Sequence, residues 1–190
     1  MPELTRHTIV AFLSDIFARR GGEEYLGEPV TMAQHMLQGA TFAQQQGLPE
    51  QIIVAALLHD IGHFTSEFGT YSPEDTEDKH HEEAGALVLS EFFPTIVTDC
   101  VRHHVAAKRY LCATNPAYFD RLSAASVHSL NLQGGPMSDA EVNAFRENPH
   151  LDAILKVRIW DDIGKDPDHA APEFAYYKPL LERVVQAHAA

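Results

Sequence analysis

The sequence predicts an all-α fold on three observations: apolar residues recur at helical spacing along nearly the whole chain, no segment alternates as a half-buried strand does, and Gly and Pro fall between the periodic runs. Ile9, Val10, Phe12, Leu13, Ile16 and Phe17 share one face of a first helix, which Gly21 and Gly22 end. A second helix is expected over 31–46, closed by Gly47. Pro49 opens a third through Ile52, Ile53, Ala56 and Leu57, with His59 and Asp60 at its tail. From Gly62 to Lys79 the chain is polar, is broken by Gly69 and Pro73, and carries Phe64, Phe68 and Tyr71, the pattern of a long loop beside a site. Helical periodicity returns over 81–92, over 95–111 after Pro94, and over 116–131. Gln133, Gly134, Gly135 and Pro136 form a turn, and Ser138 and Glu141 have capping-box spacing. Two last helices are expected over 151–162 and 174–187.

At 190 residues and 45% hydrophobic content the chain has the size and apolar share of one domain, expected over 1–190. No apolar run reaches the ~18 residues of a membrane helix, so a soluble, cytoplasmic protein is expected. Cys100 and Cys112 lack CxxC spacing and sit in apolar helical surroundings, which points to reduced thiols. With 27 Asp plus Glu against 14 Lys plus Arg, the formal net charge of −13 disfavours nucleic acid and anionic membranes as partners. A small anionic substrate stays open, because a few inward-facing cations decide that locally.

The 12 histidines carry the functional signal. His59-Asp60 follows the apolar run Ile52 to Leu58, so a nitrogen donor and a carboxylate stand at a buried helix end, which is costly unless they are paired or bind metal. Alone, such a dipeptide is weak: a His at a helix C-terminus is favoured by the helix dipole, with a solvated Asp beside it. His35, His81, His104 and Asp161 also lie next to apolar helical runs, and the joint pattern is strong. Imidazole and carboxylate donors without thiolates suit iron, manganese or zinc. The set exceeds one ion's usual protein share, and Asp60 as a bridge would let two ions share it. Lys108 lies four residues after His104, and Arg158 three before Asp161, so each cation projects from its ligand's helix face toward the same pocket. Surface salt bridging is the alternative for both.

His35, His59-Asp60 and Asp161 resemble the four-point signature of the HD superfamily, with His81 and His104 the extra pair of its dinuclear members. The stretches Tyr25-Leu-Gly-Glu28, His59-Asp-Ile-Gly-His63, His104-Val-Ala-Ala-Lys-Arg-Tyr110, Gln133-Gly-Gly-Pro-Met137 and Trp160-Asp-Asp162 are similar to the mixed-valent di-iron oxygenases that cleave 1-hydroxyphosphonates, the PhnZ and TmpB group, with the TmpB type slightly nearer. The likeness spans roughly 25–165. It implies an HD-domain helical bundle with a buried dinuclear site. One iron would be held by His35, His59, Asp60 and Asp161, the other by Asp60, His81 and His104. His80 is the nearest rival to His81, which begins the family's His-Glu-Glu-Ala-Gly pattern.

The resemblance also implies an iron(II)/iron(III) pair with dioxygen as co-substrate, and carbon–phosphorus cleavage to phosphate plus glycine betaine or glycine, from a trimethylammonio or an amino substrate. An upstream hydroxylase would supply the substrate without a stable complex. Ser126, Ser129 and Gln133 join Lys108 and Arg158 as substrate contacts, while Tyr25 and Glu28 match a segment that closes over the vacant iron position. Without the family, Glu28-Pro29 reads as a helix-entry loop. His63 reads either as a solvated histidine beyond the helix end or as a group near substrate. Tyr25, Phe64, Phe68 and Tyr71 are candidates for an aromatic wall around a quaternary ammonium. The rivals are an HD-type phosphohydrolase that activates water with divalent ions, and a silent metal-binding or signalling module.

Overall fold

The structure, a computed structural model, describes residues 4–25, 27–65 and 76–188. Among these the regular structure is helical: α1 (Ile9–Arg20), α2 (Met32–Gln45), α3 (Glu50–Leu58), α4 (Gly62–Thr65), α5 (His81–Leu89), α6 (Thr95–Thr114), α7 (Pro116–Phe119), α8 (Ala124–Leu132), α9 (Asp139–Arg146), α10 (Leu151–Ile163) and α11 (Phe174–His188). The one extended pairing is an isolated bridge between Glu24 and Thr31. Among the described residues no helix is long and apolar enough to cross a membrane.

Helix α3 is the axis. Every residue from Ile52 to Leu58 is buried, and α2, α6, α10 and α11 pack around it. Each fully buried Leu or Ile contributes about 1.5–3 kcal/mol. The helix is therefore held from all sides, and His59 and Asp60 at its end inherit that rigidity. Thr31 starts α2 with a capping box in which its hydroxyl accepts from Gln34 N and the Gln34 side chain accepts from Thr31 N, a pairing the sequence reading passed over. The capping box expected at Ser138 and Glu141 forms at the head of α9.

Several boundaries differ from expectation, and α5 ends at Leu89 rather than at 92. The polar stretch after Asp60 begins with a short helix, α4, rather than loop; residues 66–75 lie outside the described residues, and with them Phe68, Gly69, Tyr71 and Pro73. The single helix expected over 116–131 is two, because Ser123 adopts an extended conformation and its hydroxyl caps α8 by accepting from Ser126 N. Helix α6 runs on to Thr114.

Glycine decides how α4 meets α5. A Cβ on Gly62 would stand 1.7 Å from the His81 carbonyl oxygen and 2.8 Å from Gly85 N. Only a residue without a side chain lets these two backbones touch. That contact brings the chain after Asp60 against the start of α5. His80, just before α5, takes a left-handed conformation (φ 48°), which turns its own ring outward to 70% side-chain exposure and lets His81 enter the interior at 11%.

Candidate metal centre and substrate pocket

His35 comes from α2, His59 and Asp60 from the end of α3, His81 from the start of α5, His104 from α6 and Asp161 from α10. All are buried. The ring orientations are set by the backbone: His35 Nδ1–H donates to the Gly164 carbonyl (2.9 Å), His59 Nδ1–H to Ala56 (2.8 Å) and His104 Nδ1–H to Val101 (2.7 Å). A carbonyl can only accept, so these Nδ1 atoms carry the proton and each Nε2 presents a lone pair inward.

Those lone pairs meet. The Nε2 atoms of His35 and His59 are 3.0 Å apart, and those of His81 and His104 are 3.1 Å apart. With both rings neutral, neither Nε2 has a proton to offer the other, so the approach is repulsive unless a proton or a metal ion stands between them. Metal–imidazole bonds of about 2.1 Å set at right angles place two nitrogens roughly 3.0 Å apart, so the spacing fits two ligands on one ion. Asp60 faces both pairs: Oδ2 lies 3.4 Å from His35 Nε2 and 3.4 Å from His59 Nε2, while Oδ1 lies 3.3 Å from His81 Nε2 and 3.2 Å from His104 Nε2. Asp161 Oδ1 adds a donor to the first pair alone, 3.5 Å from His35 and 4.0 Å from His59. The donor set thus fits two cations that share one carboxylate.

The electrostatics agree. Burial alone would raise Asp60, but the charge of His59 and hydrogen bonds from His104, His35 and His59 hold it well below the usual carboxylate range. Burial would likewise raise Asp161, and Arg158 and His35 outweigh it. Burial works to lower His35, yet bonding to Asp161 and Asp60 lifts it to about 9. The position favours positive charge, a proton or a metal ion alike.

Beside the centre is a pocket lined by Tyr25, Asp60, His63, His81, His104, Lys108, Ser126, Ser129, Gln133, Arg158 and Asp161, with Asp78 and Lys79 at its edge. Lys108 is buried and its Nζ donates to Ser129 Oγ (2.7 Å). Burial first, then Arg158, brings Lys108 down to about 7. Arg158 Nη1 bonds Asp161 Oδ2 (2.6 Å) and Nη2 bonds Asp162 Oδ1, while its buried Nε has no partner among the described residues. The Gln133 Oε1 and His63 Nδ1 atoms are likewise buried without a partner among the described residues. His63 stacks on His81, with ring centres 4.0 Å apart and planes at 14°. Burial, then the charge of His81, keeps it neutral by lowering its pKa well below the ordinary value. Tyr25 stacks on His35 at 3.8 Å and its hydroxyl donates to Asp161 Oδ1 at 3.3 Å.

Residues 32–139 match the HD domain family. The chain belongs to the HD-domain family. This HD-domain protein is 63% identical over 98% of its length, and 95% of the relative's, to the 1-hydroxy-2-(trimethylamino)ethylphosphonate dioxygenase (glycine-betaine-forming) of Leisingera caerulea. It is 40% identical over 87% of its length, and 83% of the relative's, to the hydroxymethylphosphonate dioxygenase of Gimesia maris.

In the HD-domain protein every ligand residue read from the sequence converges on Asp60, and the expected substrate residues line one pocket, except Glu28. That carboxylate lies outside the lining, where Oε1 accepts from Lys165 Nζ (3.1 Å) and Ser123 Oγ (2.7 Å). Lys165 also reaches Ser126 Oγ (3.1 Å) and stands 5.7 Å over the Tyr25 ring. Sequence reasoning missed Lys165 and Ser123. A lysine just past a ligand helix is a weak cue, and nothing local ties it to Glu28. The aromatic wall needs correction at Phe64, which is absent from the pocket lining. It packs edge-on against Phe17 (5.9 Å) and under the Arg20 guanidinium (5.3 Å).

Proposed function

We propose that this chain uses iron and dioxygen to cleave the carbon–phosphorus bond of 1-hydroxy-2-(trimethylammonio)ethylphosphonate, releasing phosphate and glycine betaine. The observation that carries this reading is the split carboxylate of Asp60, with Oδ2 toward one histidine pair and Oδ1 toward the other, beside a pocket holding a buried lysine and arginine. Sharing one carboxylate is how two-metal sites are built. The names of the relatives favour an oxygenase over a hydrolase, and the 63% identical relative is the one named for the trimethylamino substrate, the 40% identical one being named for hydroxymethylphosphonate.

His35, His59, Asp60 and Asp161 would hold one iron, and Asp60, His81 and His104 the other, as an iron(II)/iron(III) pair. When bound, the pair supplies dioxygen activation and accepts electrons from the substrate carbon. The protein's own groups do the rest. Lys108 Nζ and the Arg158 Nε–H donate to the phosphonate oxygens, joined by Ser126, Ser129 and Gln133. His63, neutral and with Nδ1 unpartnered, accepts the proton of the C1 hydroxyl. Tyr25 holds Asp161 and packs its ring on His35, and Asp78 in the pocket lining supplies negative charge for the quaternary ammonium. Glu28, held by Lys165, latches the Tyr25 segment. Atoms and electrons balance without an added reductant: the 1-hydroxyphosphonate dianion plus dioxygen gives the carboxylate, hydrogen phosphate and one proton, the substrate supplying all four electrons.

The test is an assay of the iron-loaded protein with the trimethylammonio and amino substrates side by side, in air and without oxygen. Phosphate and glycine betaine should form only in air. Phosphate released at the same rate without oxygen overturns the reading in favour of a hydrolase.

A further inference from the structure

Three of the histidines around Asp60 pass their Nδ1 proton to a backbone carbonyl. His81 does not. Its Nδ1 faces Glu82 Oε2 at 3.5 Å. That oxygen is buried and has no hydrogen-bond partner among the described residues, and the Glu82 side chain is 10% exposed. The other oxygen, Oε1, lies 3.7 Å from His80 Nδ1. Leaving a buried carboxylate oxygen without a donor is costly, and the His81 imidazole faces it.

We infer that Glu82 is a positioning residue for His81, accepting its Nδ1–H and making Nε2 a stronger donor to one metal ion only. This rests on the dinuclear reading above. A carboxylate behind a ligating imidazole fixes its tautomer and raises its basicity, whereas a neutral carbonyl fixes only the tautomer. The ion shared by His81, His104 and Asp60 Oδ1 therefore feels a negative charge through its ligand. On the other side the carboxylate that is not shared, Asp161, is offset by Arg158 at 2.6 Å. The plainer role for Glu82 is an acidic residue in the first turn of α5, where it complements the helix dipole. Glu83 holds the same kind of position, is 59% exposed on its side chain, and pairs with Arg102 at 3.1 Å. It is the natural control.

The experiment loads the full chain and its variants with ferrous iron under anaerobic conditions, reads iron per chain against a competing chelator, and follows the reduction potential by redox titration. In Glu82→Gln one ion should be released roughly 10–100-fold more readily while the other holds, and the potential should rise, because a neutral amide favours the lower charge. Glu83→Gln should match the unmodified protein in both. The inference falls if Glu82→Gln keeps both ions with unchanged affinity and potential, or if Glu83→Gln has the same effect. Should Glu82→Gln fail to fold, Glu82→Asp decides: a carboxylate shorter by one methylene must weaken one ion selectively, and weakening of both or neither overturns it. An unmodified protein that holds a single ion overturns the dinuclear reading itself, a result distinct from two ions indifferent to Glu82.

Discussion

On one side of Asp60, His35 is covered by the Tyr25 ring at 3.8 Å and Asp161 is clamped by Arg158 at 2.6 Å, so that half of the centre is closed by protein. On the other side, His81 and His104 stand at the wall of the pocket with Lys108, Ser129 and Gln133, and the carboxylate facing both rings is the shared Asp60. Metal sites that keep a protein-free position do chemistry there, and saturated ones mainly hold. On the reading proposed above, substrate meets the His81–His104 side, while the His35–His59–Asp161 side, covered by the Tyr25 ring, has fewer open positions.

The strongest way to break this comparison is to remove what both sides share. Asp60→Ala should lose both ions, with iron falling from about two per chain to near none after reconstitution, read by elemental analysis. If one ion stays, the sides are independent and Asp60 is no bridge. Gly62→Ala should separate the sides instead. The new Cβ meets the His81 carbonyl at 1.7 Å, so α5 must move, at a cost of about 3 kcal/mol or more in stability. Thermal melting should register that loss, and iron analysis should show the His81–His104 ion lost while the first remains.

The closed side was more legible in the sequence than the open one. His59-Asp60 ends an apolar run, and burial of the run from Ile52 to Leu58 forces the pair inward; periodicity alone suffices. Which of His80 and His81 turns inward rests on a single backbone angle at His80 that no local pattern announces, and only the family's motif pointed to the buried one. Arg158 was read as an anion clamp from its spacing to Asp161. The same spacing also lets it bond Asp161 and Asp162, so one cation serves both the closed side and the pocket. Phe64 misled for a related reason: its partners Phe17 and Arg20 come from α1, far away in sequence. The Lys165–Glu28 pair spans 137 positions and was invisible to local reading.

On the open side, Lys108→Gln should keep both ions and raise KM about 10–100-fold, the worth of one charge-assisted hydrogen bond of roughly 1.5–3 kcal/mol. Iron content and steady-state kinetics on the same sample check the split. A loss of iron in this variant would move Lys108 from the substrate wall into the support of the metal centre.

The smallest effect is also the most specific to the open side. Burial and the nearby Arg158 bring Lys108 to about 7, so in the free protein its ammonium is charged below that pH and neutral above it. A dianionic phosphonate raises that pKa again on binding, so above about 7 binding takes up a proton. Affinity should then fall as pH rises from 7, by at most about tenfold per unit. Lys108→Gln should lack this slope, and because its substrate titrates identically, the difference between the two profiles isolates the lysine. Stability carries the opposite sign. Between about 7 and the ordinary lysine value of 10.5 the unfolded chain binds a proton that the native state does not. The Lys108 contribution to stability therefore rises with pH across that window, and the burial penalty is fully present below it. Substrate binding that weakens toward alkaline pH, in a protein whose Lys108-dependent stability strengthens over the same range, is a pair of trends that a surface lysine would not produce.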